Sequence, residues 1–139
     1  MADTSIGSPI RRFGFVSATE LQALYEDHHV YLAPSVTAVD GDCEGGAPVS
    51  LIEAAASGMI VVSTRHCDIP GVIENGRTGW LSEERDTDAM AANLIRVWQT
   101  REDWEASQIA LRQHIETRFH HRSQAEALIR RYQQLGGGE

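Results

Sequence analysis

Apolar and polar positions change their rhythm several times along the chain, and each rhythm predicts an element. The stretch IRRFGFVS, residues 10–17, is β-rich and apolar at its end, which predicts a strand. SATELQALYEDHH follows, with Ser17 or Thr19 as N-cap and Leu21, Leu24 and Tyr25 on one apolar helical face. VYLAPS, from Val30, is a short apolar run closed by Pro34, as expected of a buried strand. The helix VSLIEAAAS stops at Gly58, a natural residue just past a helix end. Met59 to Thr64 is apolar without polar alternation, the mark of a strand covered on both faces.

Beyond Thr64 a turn-rich stretch contains Asn75-Gly76 and a short strand at Trp80-Leu81. From Asp86 onward the pattern is helical. Asp86 or Asp88 caps a helix carrying Met90, Leu94, Val97 and Trp98. Trp104, Leu111 and Ile115 line a second helix, and Leu128, Ile129, Tyr132 and Leu135 a third. Strand alternating with helix is the pattern of an α/β parallel sheet, here of about four strands with flanking helices and a helical C-terminal tail. Ligands in such sheets sit at the carboxyl ends of the strands. The loop from Asp40 to Pro48 leaves one such end and enters a helix, so the ligand is expected there.

Composition narrows the classes. A chain of 139 residues supports one domain, with a disordered lead over 1–9 and a frayed end over 136–139. Internal repeats and a domain linker are absent from the pattern. A net charge of −8 argues against a nucleic-acid partner, which would need a basic face. All twelve basic residues are arginines. Two cysteines, Cys43 and Cys67, are too few for a disulfide scaffold or a zinc site of usual spacing, and read as reduced thiols of a cytoplasmic protein. No apolar run approaches the ~18 residues of a transmembrane helix.

The loop DGDCEGGAPV holds three carboxylates and three glycines within seven residues, and three readings compete for it. Asp40, Asp42, Glu44 and Gly45 match the start of a calcium loop, but its twelfth position is Leu51 rather than a bidentate glutamate, and a strand precedes it. A plain cap explains Asp40 and Asp42 by the helix macrodipole. It does not explain Gly45-Gly46 just ahead of Ala47-Pro48, the proline being suited to a first helical turn. Backbone without side chains ahead of a helix N-terminus admits an anion. Glu44 would repel a phosphate, so its carboxylate must face hydroxyls; sugar plus phosphate satisfies both halves of the loop.

The run EGGAPVSLIEAAASGMIVVST followed by IPGVIENGRTGWL resembles the donor-binding half of the family 4 (group 1) retaining glycosyltransferases of the GT-B fold, across Phe13 to Trp98. The resemblance implies a partial Rossmann-like domain that binds a nucleotide sugar, uridine- or guanosine-linked, with no cofactor and no metal. It places Glu44 in the catalytic site against hydroxyls of the donor sugar. The backbone of Gly45, Gly46 and Ala47, with Pro48 and Val49 at the helix start, would meet the sugar and phosphates, and Glu53 would bind the ribose diol. A carboxylate can accept two hydrogen bonds from a vicinal diol.

Three departures accompany it. Glu44 and Glu53 are separated by eight residues, one more than the family's usual count. Gly71 follows Pro70 where family members often carry an acid. The family's arginine–lysine pair on an earlier glycine-rich loop has no counterpart, since lysine is absent. The expectation is a portion of a larger enzyme, paired in the parent protein with an N-terminal acceptor domain. The competing class is a non-catalytic nucleotide-sugar-binding or protein-interaction module.

Other residues are less committed. His66, with Cys67 and Asp68, follows the apolar strand and is either a donor contact or plain loop structure, further ligands for a metal being missing. His28-His29 and His120-His121 flank helix ends, where imidazolium is favourable. Trp80, Trp98 and Trp104 read as packing rather than a sugar platform. The C-terminal helix with Arg130-Arg131 is expected to cross toward the acceptor domain. Ser50 lacks a His/Asp arrangement for a hydrolase triad.

Overall fold

The computed structural model describes residues 10–43 and 45–136. Three parallel strands, β1 (Val30–Ala33), β2 (Ile60–Thr64) and β3 (Gly79–Ser82), lie side by side in chain order. The register pairs Val30 with Ile60 and Val61 with Gly79. Around them run α1 (Ala18–Asp27), α2 (Val49–Ala56), the single turn α3 (Ile69–Val72), α4 (Thr87–Gln99), α5 (Trp104–Phe119) and α6 (His121–Gly136).

The central strand explains the two-sided core. All five residues of β2 are buried, and alternate side chains point to opposite faces. Val61 packs with Leu51 and Ala55 of α2, Ile69 and Val72 of α3, and Leu111 and Ile115 of α5. On the opposite face Ile60 and Val62 meet Val97 of α4, with Trp80, Met90, Leu94 and Trp104 around them. Gly79 of β3 is obligatory: a Cβ there would stand 2.7 Å from the Val61 carbonyl oxygen and 2.8 Å from Ile73 Cγ2.

The strand expected over residues 10–17 does not form, so the sheet has three strands rather than about four. β-rich composition describes a surface that fits a sheet, and needs a neighbouring strand to fit. Here none pairs with this segment; Phe13 is 51% exposed and Phe15 fully exposed. The turn α3 was hidden inside the turn-rich stretch. Gly136, expected in a frayed end, is the last residue of α6. The expected helix face of Leu128, Ile129, Tyr132 and Leu135 lies on α6 and is exposed throughout. Among the described residues no helix is long and apolar enough to cross a membrane.

Candidate functional site

The carboxyl ends of the three strands are laced together by short polar side chains. Ser63 Oγ donates to the Ala33 carbonyl at 2.7 Å, and Thr64 Oγ1 to the Ser35 carbonyl. Two tyrosines fix the start of α2 from below: the Tyr31 and Ser50 hydroxyls lie 2.8 Å apart, and Tyr25 donates to the Ser50 carbonyl at 3.4 Å. The helix is thereby aimed with its N-terminus among the three strand-end loops.

That N-terminus is open. Pro48 occupies the N-cap position, one residue before the first helical turn where the sequence suggested it, and among the described residues no side chain caps the helix. Leu51 and Ile52 N–H both turn back to the Pro48 carbonyl, at 3.1 and 3.3 Å. Pro48 has no N–H of its own, and the N–H groups of Val49 and Ser50 head the helix. Gly45 stands ahead of it with φ +72°, a left-handed conformation that glycine adopts without strain, and no atom of the described residues lies near the position of a Cβ added at Gly45 or Gly46. Ala47 packs against the core cluster. Val49 and Glu53 are exposed, one helical turn apart on the same face, and the Glu53 carboxylate makes no ion pair or hydrogen bond among the described residues. Gly45 to Val49 and Glu53 thus share one surface. Glu44, the residue expected at the sugar, lies outside the described residues.

Asp40 and Asp42 do not cap α2. Asp40 Oδ1 accepts from Asp42 N–H at 3.2 Å, and Asp42 Oδ1 from Cys43 N–H at 3.0 Å. Ala38 and Asp42 close the same turn through their backbones at 2.8 Å. These acids shape the approach loop instead, as short polar side chains do in turns.

His66 is buried, at 1% exposure, and both ring nitrogens are engaged. Nδ1 lies 2.7 Å from Glu84 Oε1 and Nε2 lies 3.3 Å from Cys67 Sγ. Glu84 also accepts from Thr37, at 2.8 Å from its N–H and 3.3 Å from its hydroxyl, while Arg85 reaches the Thr37 carbonyl. One carboxylate therefore ties together the loops following β1, β2 and β3. The His66 ring, then the Thr37 N–H, hold the Glu84 carboxyl below its ordinary range. Sequence reasoning missed Glu84 and Thr37; the only signal was an acid directly after the third strand. Of the tryptophans expected to pack, Trp104 donates its Nε1–H to the Val97 carbonyl at 2.8 Å and Trp80 carries Arg96 over its ring at 4.8 Å, whereas Trp98 is 63% exposed and meets only the edge of Trp104 among the described aromatic rings. His28 closes α1 through the Leu24 carbonyl at 2.7 Å.

Comparison with known proteins places this arrangement. Residues 2–100 match the family of group 1 glycosyl transferases. The chain belongs to that family. It is 39% identical over 134 residues to the amylovoran biosynthesis glycosyltransferase AmsK of Erwinia amylovora, covering 94% of this chain and 33% of that protein. It is 49% identical over 81 residues to the putative colanic acid biosynthesis glycosyltransferase WcaL of Salmonella typhimurium, covering 58% of this chain and 20% of that protein. The chain therefore spans between a fifth and a third of the length of these relatives. Its fold matches part of the sucrose-phosphate synthase of Thermosynechococcus elongatus with a TM-score of 0.73 at 20% identity, over 91% of this chain and 30% of that one. The expected α/β, GT-B-type architecture is thereby confirmed at the level of fold.

Proposed function

We propose that this chain is the nucleotide-sugar donor-binding portion of a retaining glycosyltransferase, moving a hexosyl group from a uridine- or guanosine-linked donor to an acceptor hydroxyl. The observation that carries the reading is the open start of α2, fronted by Gly45 and Gly46 and followed one turn later by Glu53, which has no hydrogen-bond or ion-pair partner among the described residues. The diphosphate would sit at the α2 N-terminus, where N–H groups and the macrodipole favour negative charge. Helix and arginine electrostatics would stabilise it as it departs, without a metal. Glu53 would accept from the ribose diol, and Glu44 would face the sugar hydroxyls. With its ring nitrogens engaged, His66 would act by holding the loops around the donor.

The acceptor side would come from an N-terminal domain of the parent enzyme, in the cytoplasm. The relatives named for amylovoran and colanic acid biosynthesis support a place in polysaccharide assembly. A second reading, a binding module without catalysis, rests on the absence of any lysine to clamp the diphosphate. A thermal-shift panel of uridine, guanosine and adenosine diphosphate sugars tests donor binding directly. Stabilisation by one base class supports the proposal, and no shift with any of them at millimolar concentration contradicts it.

A further inference from the structure

Beside the glycine segment, the residues that brace the strand-end loops include a thiol, Cys67, that sugar transfer does not use. Cys67 follows β2 with φ +43°, an uncommon left-handed conformation for a residue with a side chain, and its thiol is exposed. Three groups converge on Cys67 Sγ. His66 Nε2 lies 3.3 Å away, and the Cys43 side chain and the Gly45 backbone N–H are near enough to act on the thiol's ionisation. Cys43 is also exposed. On the far side of the imidazole, Nδ1 faces the Glu84 carboxylate at 2.7 Å. An ionised carboxylate can only accept, so Nδ1 carries the proton and donates to it, which leaves the Nε2 lone pair facing the Cys67 S–H.

A thiol, a base within reach of it and a carboxylate orienting that base form the arrangement that activates nucleophiles generally. We infer that Cys67 and Cys43 form a thiol-modification site, Cys67 attacking small-molecule disulfides with His66 as base and Cys43 resolving the adduct into a Cys43–Cys67 disulfide. In the first step Cys67 Sγ bonds to one sulfur of the small disulfide as its S–S bond breaks. The Cys67 proton passes through His66 Nε2 to the departing thiolate. In the second, Cys43 Sγ attacks the Cys67 sulfur and the second small thiol leaves with the Cys43 proton. Two protein thiols are oxidised, and one small disulfide is reduced to two thiols.

Desolvation by the surrounding loops, with the Cys43 thiol beside it, holds the Cys67 thiol above its ordinary range, and the Gly45 N–H pulls the other way. The thiol thus stays protonated at rest, so attack depends on a base at hand, and His66 is that base. The product bond would tie the approach loop of the glycine segment to the loop after β2. The inference does not depend on the donor reading.

The test is incubation of the chain with oxidised glutathione, acid quenching, and mass spectrometry without reduction. Wild type should accumulate a Cys43–Cys67 linked peptide and no lasting adduct. Cys43→Ser should stop at one glutathione on Cys67, and Cys67→Ser should react far more slowly. Glu84→Gln should slow Cys67 modification by about tenfold or more, a part of the ~10²- to 10⁴-fold that a positioned general base contributes. Equal rates of glutathione addition to the two single-cysteine variants, or a wild type carrying two adducts and no link, would overturn the assignment. An unaltered rate in Glu84→Gln would remove His66 and Glu84 from the step. Both cysteines are exposed, so their serine variants keep the test decisive even if Glu84→Gln loosens the fold.

Discussion

Two helix starts in this molecule are built in opposite ways. At α1, Ser17 and Glu20 form a complete reciprocal cap: Glu20 N–H donates to Ser17 Oγ at 3.3 Å and Ser17 N–H to Glu20 Oε2 at 2.8 Å. At α2, Pro48 offers neither a side-chain acceptor nor an N–H, and two glycines stand ahead of it. The far end of α2 shows that the helix is not simply poorly finished. There Gly58 takes φ +91°, its N–H bonds to the Ala55 carbonyl at 3.1 Å and Met59 N–H to Ala54 at 3.0 Å, a closed Schellman end. A helix closed at one end and open at the other, at the carboxyl edge of a parallel sheet, is the contrast on which the proposed donor site rests. The α1 start serves stability; on the proposed reading, the α2 start would serve binding.

Substitutions can break that contrast. The largest effect is expected from Glu53→Ala, which on the proposed reading would remove a charged acceptor of two ribose hydrogen bonds at about 1.5–3 kcal/mol, the range for hydrogen bonds to charged groups. That is roughly 10- to 150-fold in the dissociation constant of a nucleoside diphosphate. Stability should barely move, because Glu53 is exposed. Titration with ribo and 2′-deoxyribo ligands checks it: equal losses for both would mean that the carboxylate never touched the ribose.

Gly46→Val comes next. An added Cβ meets nothing within 4 Å, so the unliganded fold should tolerate it within about 0.5 kcal/mol of wild type. A ligand that approaches the backbone would meet it at once, and diphosphate affinity should fall about tenfold or more. Unchanged affinity by calorimetry would place the ligand elsewhere.

The two helix starts are then exchanged in kind. Ser17→Ala should lower stability by about 1 kcal/mol in denaturant melts and leave binding unchanged. Pro48→Ser should do the reverse, adding a few tenths of a kcal/mol of stability while competing with the diphosphate for the same N–H groups. If both variants changed stability alone, the α2 start would be no different from the α1 start.

The smallest effect is a pH response of the α1 cap. Hydrogen bonds from the Ser17 backbone, then its hydroxyl, hold Glu20 below its ordinary value of 4.5. A lowered folded-state value stabilises above pH 4.5, and that contribution is lost as pH falls from 4.5 through the folded-state value. Amide exchange in the first turn of α1 should speed up in that acid window, while the α2 start shows no matching change.

How far the sequence carried this picture depended on how local each feature is. The Ser17 cap, the Gly58 stop and the two-sided burial of β2 all follow from residues within one element, and the structure has each of them. The segment over 10–17 has strand-like residues but needs a partner strand, which no local pattern supplies. Pro48 was expected inside the helix and stands at its cap, a one-residue difference that decides whether the N-terminus is open. Asp40 and Asp42 looked like caps for α2, yet they bond the backbone of their own turn. The His66–Glu84–Thr37 brace joins residues 18 and 47 positions apart, and only the parallel topology brings them together.

A diphosphate on the open start of α2, as proposed, would perturb the backbone amides that hold it. The most direct measurement follows backbone amide shifts of the isotope-labelled chain during titration with uridine and guanosine diphosphates. The account predicts saturable shifts largest at Gly45, Gly46, Val49 and Ser50, with the Ser17–Glu20 amides unmoved. Shifts of equal size at both helix starts, or none at the glycine segment under saturating ligand, would contradict it.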